Sequence, residues 1–356
     1  MAYVGRILTR SPYYFVATPT TGYITQAYVD LRIWSGDLVT DRPTSPTYEI
    51  TKEALTGSDS EIVFELSSLI RDYYVHNRDA YDDVLTTFAD CLWVEVQYFT
   101  IDTGGLNAVV TNTYLASDGY GYFTEGYNPQ PDLATDKTIF LPKYTLYGAG
   151  YAYAYYALFV NSDEITGWDN YYDGVYGGGY GISASTESNR KIIYVDEIRT
   201  DTMGLLTKII LKNGTTDLYT INFEYIEYCK FTPRQIKFYN KDGLLQVFYA
   251  GAKSSEELKT NRESYKADLG YNYSVEKHQM QNFNTNGNES ITLNTDWIPE
   301  SQNEIIKQIL LSELIWIDDI PVNISTSSVQ YKTKQNDRMI NYTMTFDYSA
   351  NVIQDV

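Results

Sequence analysis

The stretch LTKIILKNGTTDLYTINFEYIEY, residues 206–228, reads as a β-hairpin in which residues 206–212 and 217–228 run either side of Asn213-Gly214. Tight hairpin turns need φ > 0, which Asn and Gly adopt at low cost. Asp242-Gly243, between residues 235–240 and 244–249, gives the same signal again. The two turns make antiparallel sheet the expected architecture.

The N-terminal hundred residues fit that expectation. Ala27, Val29, Leu31 and Ile33 alternate with Tyr28, Asp30 and Arg32; Ile62, Phe64 and Leu66 alternate with Val63 and Glu65; Leu92, Val94, Val96 and Tyr98 alternate with Trp93, Glu95 and Gln97. A period of two marks strands with one buried face. Breaker clusters separate them at residues 19–22, 35–37, 42–46 and 56–60, and a short helix is predicted at 66–74. Residues 1–101 are therefore expected to form a β-sandwich-like domain.

Residues 102–190 differ, being loaded with Gly and Tyr, and from Asp118 to Arg190 nine acidic residues face only Lys137, Lys143 and Arg190. Gly permits unusual backbone angles and Tyr gives contact area at low rotamer cost, so this segment is expected to be a loop-borne contact region. Residues 191–356 return to β pattern with one helix at 302–316, introduced by a Ser301/Glu304 capping box and carrying Ile305, Ile306, Ile309, Leu310, Leu314 and Ile315. Ile340, Tyr342, Met344, Phe346 and Tyr348 form an alternating strand, expected to pair with residues 329–333 across the turn at 335–337. The predicted fold is mainly β: antiparallel sandwich-type domains, a Tyr/Gly-rich loop region, and one amphipathic helix packed on the C-terminal sheet. No fixed-period repeat occurs, which disfavours a solenoid or propeller.

Composition narrows the function. The 356 residues hold 46 Asp and Glu against 27 Lys and Arg, a formal charge of −19, which argues against a duplex nucleic-acid clamp, and no specific nucleic-acid binding is expected. At 43 % apolar residues the chain is too rich in core side chains for a disordered acidic tail. Its 36 Tyr outnumber 13 Phe and 5 Trp; the tyrosine ring packs while its hydroxyl keeps a hydrogen bond, which suits surfaces that a partner covers. Residues 1–10 lack a secretory apolar run, and the longest nearly uncharged apolar stretch, 151–160, is about half a bilayer span. Synthesis in the cytoplasm without membrane insertion is expected.

Catalytic and cofactor motifs are scarce. Cys91, Cys229, His76 and His278 are scattered, which argues against structural zinc or a disulfide framework, and Cys91 in Cys91-Leu92-Trp93-Val94 reads as a core thiol. The run Gly177-Gly178-Gly179-Tyr180-Gly181 lacks the Lys-Ser or Lys-Thr of a phosphate loop, and no Gly-x-Ser-x-Gly elbow occurs. No cofactor is expected. The abundant carboxylates leave a glycosidase and a calcium site at Asp163, Glu164, Asp169 and Asp173 open, although a solvated acidic loop explains the same residues. Sequons at Asn213, Asn288, Asn323 and Asn341 are expected to stay unmodified. Trp168, Asp169, Tyr171, Tyr172, Asp173, Tyr176 and Tyr180 are the candidate partner or glycan contacts, because aromatic faces beside carboxylates suit sugar rings.

Several segments together resemble structural proteins from the tail and baseplate region of tailed bacteriophages and prophages of Bacteroidota. They are residues 10–14 (RSPYY), 229–233 (CKFTP), 238–246 (FYNKDGLLQ), 253–256 (KSSE), and 331–343 (YKTKQNDRMINYT) running into Phe346-Asp347-Tyr348. The likeness reaches both ends of the chain and is poorest in the Tyr/Gly middle. It implies a non-enzymatic virion component, a tube, baseplate or adaptor-ring subunit whose partners are copies of itself and other tail proteins. The alternative is a receptor-binding module that takes host surface glycan on the Tyr/Gly region. Within the first reading Lys332, Lys334 and Arg338 are the candidate subunit interface, as cations able to meet the acidic surface of a neighbouring copy.

Overall fold

Ala27, Val29, Leu31 and Ile33 turn to one side of a single long strand and are fully buried there. The computed structural model describes residues 3–36, 39–54, 60–74, 91–126, 128–129, 143–147, 151–152, 157–161, 167–181, 190–194, 198–199, 206–226, 231–326, 328–329 and 339–353. The chain is mainly β and divides into two units, residues 1–225 with 239–246, and residues 226–238 with 247–356.

The first unit opens with β1 (Tyr3–Leu8), β2 (Tyr14–Ala17), β3 (Ile24–Trp34), β4 (Tyr48–Glu53), β5 (Ile62–Glu65), α1 (Ser67–Arg71), β6 (Leu92–Asp102), β7 (Gly105–Leu106) and β8 (Val110–Ser117). Its main sheet runs β1-β8-β6-β3-β4, with β7 beside β6; β1 and β8 are parallel and the other pairs antiparallel. β2 pairs with β5, and Phe15, Ile62, Phe64 and Ile70 join Val29, Leu31, Val94 and Val96 in one apolar core. Each such side chain contributes about 1.5–3 kcal/mol on burial. Because β6 and β8 carry this sheet to Ser117, a boundary at residue 101 cuts through it, and residues 102–117 belong with the N-terminal strands.

Glu65 heads α1. Burial pushes its carboxyl up, but the Ser67 and Ser68 hydroxyls and the N–H groups of Ser67 and Tyr13 bond it, so its pKa ends below the usual range. At the far end of β6, Asp102 binds Asn107 Nδ2 and the N–H groups of Thr21, Gly104 and Thr20, which holds its pKa down to about 2. The depressed carboxyl stabilises the fold fully above its unfolded pKa and loses that contribution as pH falls towards 2. Urea titrations of Asp102→Asn are expected to show lower stability at pH 7 and a flatter fall between about pH 5 and pH 2.

The opposite face of the main sheet is also covered. Glu95 of β6 is fully buried there; Arg42 reaches it with Nε (2.8 Å to Oε2) and Nη2 (2.6 Å to Oε1), and Arg32 of β3 with Nη1 at 3.2 Å. The bond to Glu95 raises the Arg42 pKa. On the same face Arg6 Nη1 donates to Asp242 Oδ1 at 2.7 Å, and both side chains are buried. Residues 240–244 form the turn that carries Asp242: Asn240 Oδ1 accepts the Asp242 and Leu244 N–H groups, and Gly243 has φ 75°. This turn meets residues 118–120 backbone to backbone, with Tyr120 N–H donating to Lys241 O at 2.7 Å. A Cβ on Gly243 would sit 2.5 Å from Asp118 C, and one on Gly119 2.6 Å from Lys241 O.

The rest of the first unit contains β9 (Lys143–Tyr147), β10 (Tyr151–Ala152), β11 (Ala157–Asn161), β12 (Gly167–Tyr172), β13 (Val175–Gly181), β14 (Arg190–Tyr194), β15 (Ile198–Arg199), β16 (Leu206–Asn213) and β17 (Thr216–Ile226). A five-stranded sheet runs β13-β12-β16-β17-β9, and β10–β15 and β11–β14 form two-stranded pairs. The hairpin expected at Asn213-Gly214 is present, but Asn213 pairs with Thr216, so Gly214 (φ 57°) and Thr215 make the turn. The loop expectation for the Tyr/Gly segment is corrected over residues 167–181, which form a strand pair. Its turn, Asp173-Gly174, has φ 50° and 79°, the doubly positive geometry that fits strand twist.

The second unit comprises β18 (Arg234–Tyr239), β19 (Leu245–Ala250), β20 (Ser255–Lys266), β21 (Met280–Asn294), β22 (Ile298–Pro299), α2 (Asn303–Leu311), β23 (Ile315–Ile317), β24 (Ile320–Ile324), β25 (Met339–Ile340) and β26 (Thr343–Tyr348), although Tyr239 and the first two residues of β19 group with the first unit. Its sheet runs β19-β18-β23-β24-β26-β21-β20. α2 buries Ile305, Ile306 and Ile309 as predicted but stops at Leu311, and Ile315 and Trp316 are in a strand instead. Its N-cap is Gln302, without a side-chain cap bond, because a 3₁₀ turn at Glu300–Gln302 takes the place of the expected capping box. The strand expected over 340–348 breaks at Asn341-Tyr342, and β26 lies between β24 and β21. Most of 329–333, its expected partner, lies outside the described residues.

Candidate functional site

β20 and β21 project from their sheet as a two-stranded arm. The register runs from Ser255 opposite Thr292 to Lys266 opposite Met280, with an irregularity in β21 near Asn284, whose φ is 46°. β26 covers only residues 290–294 of β21. Every residue of the 12-residue β20 is exposed, over a length of about 40 Å at the usual strand rise.

Local contacts hold the arm in shape. Tyr265 and Phe283 meet edge to face at 5.7 Å, and Tyr265 Oη donates to Gln281 Oε1 at 2.6 Å. At its base, Val352 N–H donates to Gly287 O, and Asn286 exchanges hydrogen bonds with the Ile353 backbone. Leu258, Tyr265, Met280 and Phe283 are exposed along the arm, and Tyr271, Tyr273 and Val275 at its tip. A two-stranded ribbon wet on both faces is marginal alone, and clustered exposed apolar groups mark contact surfaces.

The predicted aromatic–acidic contacts divide between the two faces of the β12–β13 ribbon. Trp168 is 4 % exposed and offers solvent no stacking face. On the other face Asp169 forms an ion pair with Lys212, and that bond raises the Lys212 pKa. Tyr171 meets Tyr176 edge to face at 5.8 Å, with Lys208 Nζ 4.2 Å above the Tyr171 ring. The Tyr172 ring occupies the space a Cβ on Gly177 would need, and Tyr176 is 58 % exposed. Asp173 serves the turn, and Tyr180 lies opposite Trp168 in the strand register. The structure thus brings Asp169, Tyr171, Tyr176, Lys208 and Lys212 together.

No family model, curated protein or solved structure matches this chain. Lys332, Lys334 and Arg338 lie outside the described residues, as do Asp163 and Glu164 of the calcium candidate. Among the described residues, no three His, Cys, Asp or Glu side chains gather as a metal site. Cys91 is buried at the start of β6. The arm is the feature that sequence reasoning missed. Its signal is a strand-length run with charges of both signs and no apolar face, Glu256 to Lys266, followed by the break at Asp268 to Gly270.

Proposed function

We propose that this chain is a non-enzymatic structural subunit of a tailed-phage virion, a tube, baseplate or adaptor-ring component of the tail that works by assembling with copies of itself and with other tail proteins. The resemblance described above supports this reading, and the β20–β21 arm is the observation that carries it. A 12-residue strand exposed on both faces adds little to the stability of a lone chain. On a neighbour the same ribbon buries two faces at once, which is the economy of a repeated interface. In this reading β2 and β5 cover the N-terminal sheet as a small sandwich, and α2 docks its apolar face on the C-terminal sheet.

One observation favours the glycan-binding alternative. Tyr176 stands exposed beside Tyr171, Asp169 and Lys212, a ring next to polar groups. One experiment separates the two readings: residues 258–288 are replaced by a short turn in one variant, Tyr176→Ala is made in another, and each is followed in purified particles. Assembly through the arm predicts that the shortened chain is missing from particles by mass spectrometry, while Tyr176→Ala incorporates and adsorbs normally. Glycan binding predicts that both incorporate and that Tyr176→Ala loses adsorption at least tenfold. Particles that never contain the wild-type chain reject both.

A further inference from the structure

β20 ends the seven-stranded sheet, with β21 on one side and, among the described residues, no strand on the other. Its unpaired N–H and C=O groups form a template for strand addition. The side chains along this edge indicate which strand it accepts. Glu256, Glu257 and Glu263 oppose Lys259, Arg262 and Lys266, so the strand is neutral in a chain of charge −19. Two copies therefore meet along this edge without a net charge on either strand.

Antiparallel pairing with an identical strand brings together residues that both turn their backbone groups outward, so odd positions meet odd and even meet even. With Asn261 on the two-fold axis, Lys259 faces Glu263 of the second copy and Glu256 faces Lys266. Symmetry doubles each contact, giving four opposite-charge pairs and no like-charge pair. Neighbouring registers fail this test. An axis at Thr260 sets Glu257 against Glu263, and an axis at Lys259, Arg262 or Glu263 sets that residue against itself. Within the chain Lys259, Glu263 and Lys266 form no ion pair among the described residues, whereas Glu256 meets Arg234 at 2.9 Å and would share Lys266 of the second copy.

We propose that β20 pairs antiparallel with β20 of a second copy about a two-fold axis at Asn261, continuing the sheet across the dimer. Such a contact closes at two copies, so it shields the edge from open-ended strand addition. It differs from the head-to-tail contacts of a ring or tube, and it rests on the edge and its charges alone, independently of the virion reading.

The test is sedimentation of the full-length chain at moderate salt. The wild-type chain is expected at the mass of two copies. Lys259→Glu or Glu263→Lys alone places like charges opposite each other twice and should raise the dimer dissociation constant about tenfold or more. The double variant Lys259→Glu/Glu263→Lys restores the pairs and should return to near wild-type affinity. Asn261→Cys should give a covalent dimer on mild oxidation, and Asn272→Cys at the arm tip should not. Both charge positions are exposed, so the single variants are expected to keep the wild-type circular dichroism spectrum. A wild-type chain that sediments as one copy throughout, or a double variant as weak as the singles, overturns the pairing.

Discussion

Gly243→Ala is expected to cost more than about 4 kcal/mol, a large fraction of the roughly 5–15 kcal/mol that keeps a folded chain together. Two effects add. At φ 75° any L side chain is strained by about 1–2 kcal/mol. The new Cβ would also lie 2.5 Å from both Asp118 C and Gly119 N, backbone atoms with no rotamer to escape into. Those atoms are anchored, because Gly119 O accepts the Arg10 N–H at 2.9 Å and Asp118 Oδ1 accepts Thr9 Oγ1 at 2.8 Å. Displacing them also pulls Asp242 from Arg6, the buried pair on the same turn. Gly214→Ala supplies the control, since its φ of 57° imposes similar strain but no atom lies within 4 Å of the added Cβ. Chemical denaturation should therefore show about 1 kcal/mol lost at Gly214. Equal losses at the two glycines would mean that the backbone approach between residues 118–119 and 241–243 contributes nothing.

The contrast between these glycines shows how far the sequence could be read. Asn213-Gly214 and Asp242-Gly243 give the same local signal, and both are turns. Which one also makes a long-range backbone contact depends on residues 118–120, more than a hundred positions away, and no local pattern encodes it. β3 and β6 were legible because one face is apolar throughout, as Val29, Leu31, Val94 and Val96 show. β12 and β13 were not, since Gly177, Gly178 and Gly179 look like breakers although Tyr172 packs in the space that Gly177 leaves and Asp169 in the space that Gly179 leaves. The end of α2 was missed for a different reason: Leu314 and Ile315 continue the helical spacing, yet Ser312 is extended and Ile315 pairs in the sheet.

The two candidate sites were unequally legible in the sequence for a related reason. Burial writes periodicity into a chain, and the arm buries neither face in the monomer, so residues 255–266 carry charge where a strand search looks for alternation. The aromatic cluster was legible as composition only. Period two sends Trp168 and Asp169 to opposite faces, which is why a tryptophan chosen for its nearness to a carboxylate lies in the core.

Replacing Glu95 alone should cost about 3–5 kcal/mol, the range for leaving buried charge without its partner. The Glu95 carboxylate is entirely buried and accepts from both Arg32 and Arg42, so Glu95→Ala takes the counter-charge from two guanidinium groups and leaves the buried Arg32 with the neutral Gln97 Oε1 at 3.1 Å. Arg42→Ala should cost less, because the Arg42 side chain is partly exposed and Glu95 keeps Arg32. Replacing all three with apolar residues of similar volume should recover most of the loss, since a buried ion cluster gains little over good packing. Its contribution is to register. Arg32 and Glu95 are direct cross-strand partners between β3 and β6, while their neighbours Leu31, Ile33, Val94 and Val96 face the apolar core. A slip of one residue would turn Glu95 into that core. The apolar triple variant is therefore expected to unfold less cooperatively, with a shallower denaturant dependence and faster amide exchange in β3 and β6 at unchanged midpoint. Cooperative unfolding with wild-type slope and protection would show that the apolar alternation fixes the pairing without the charges.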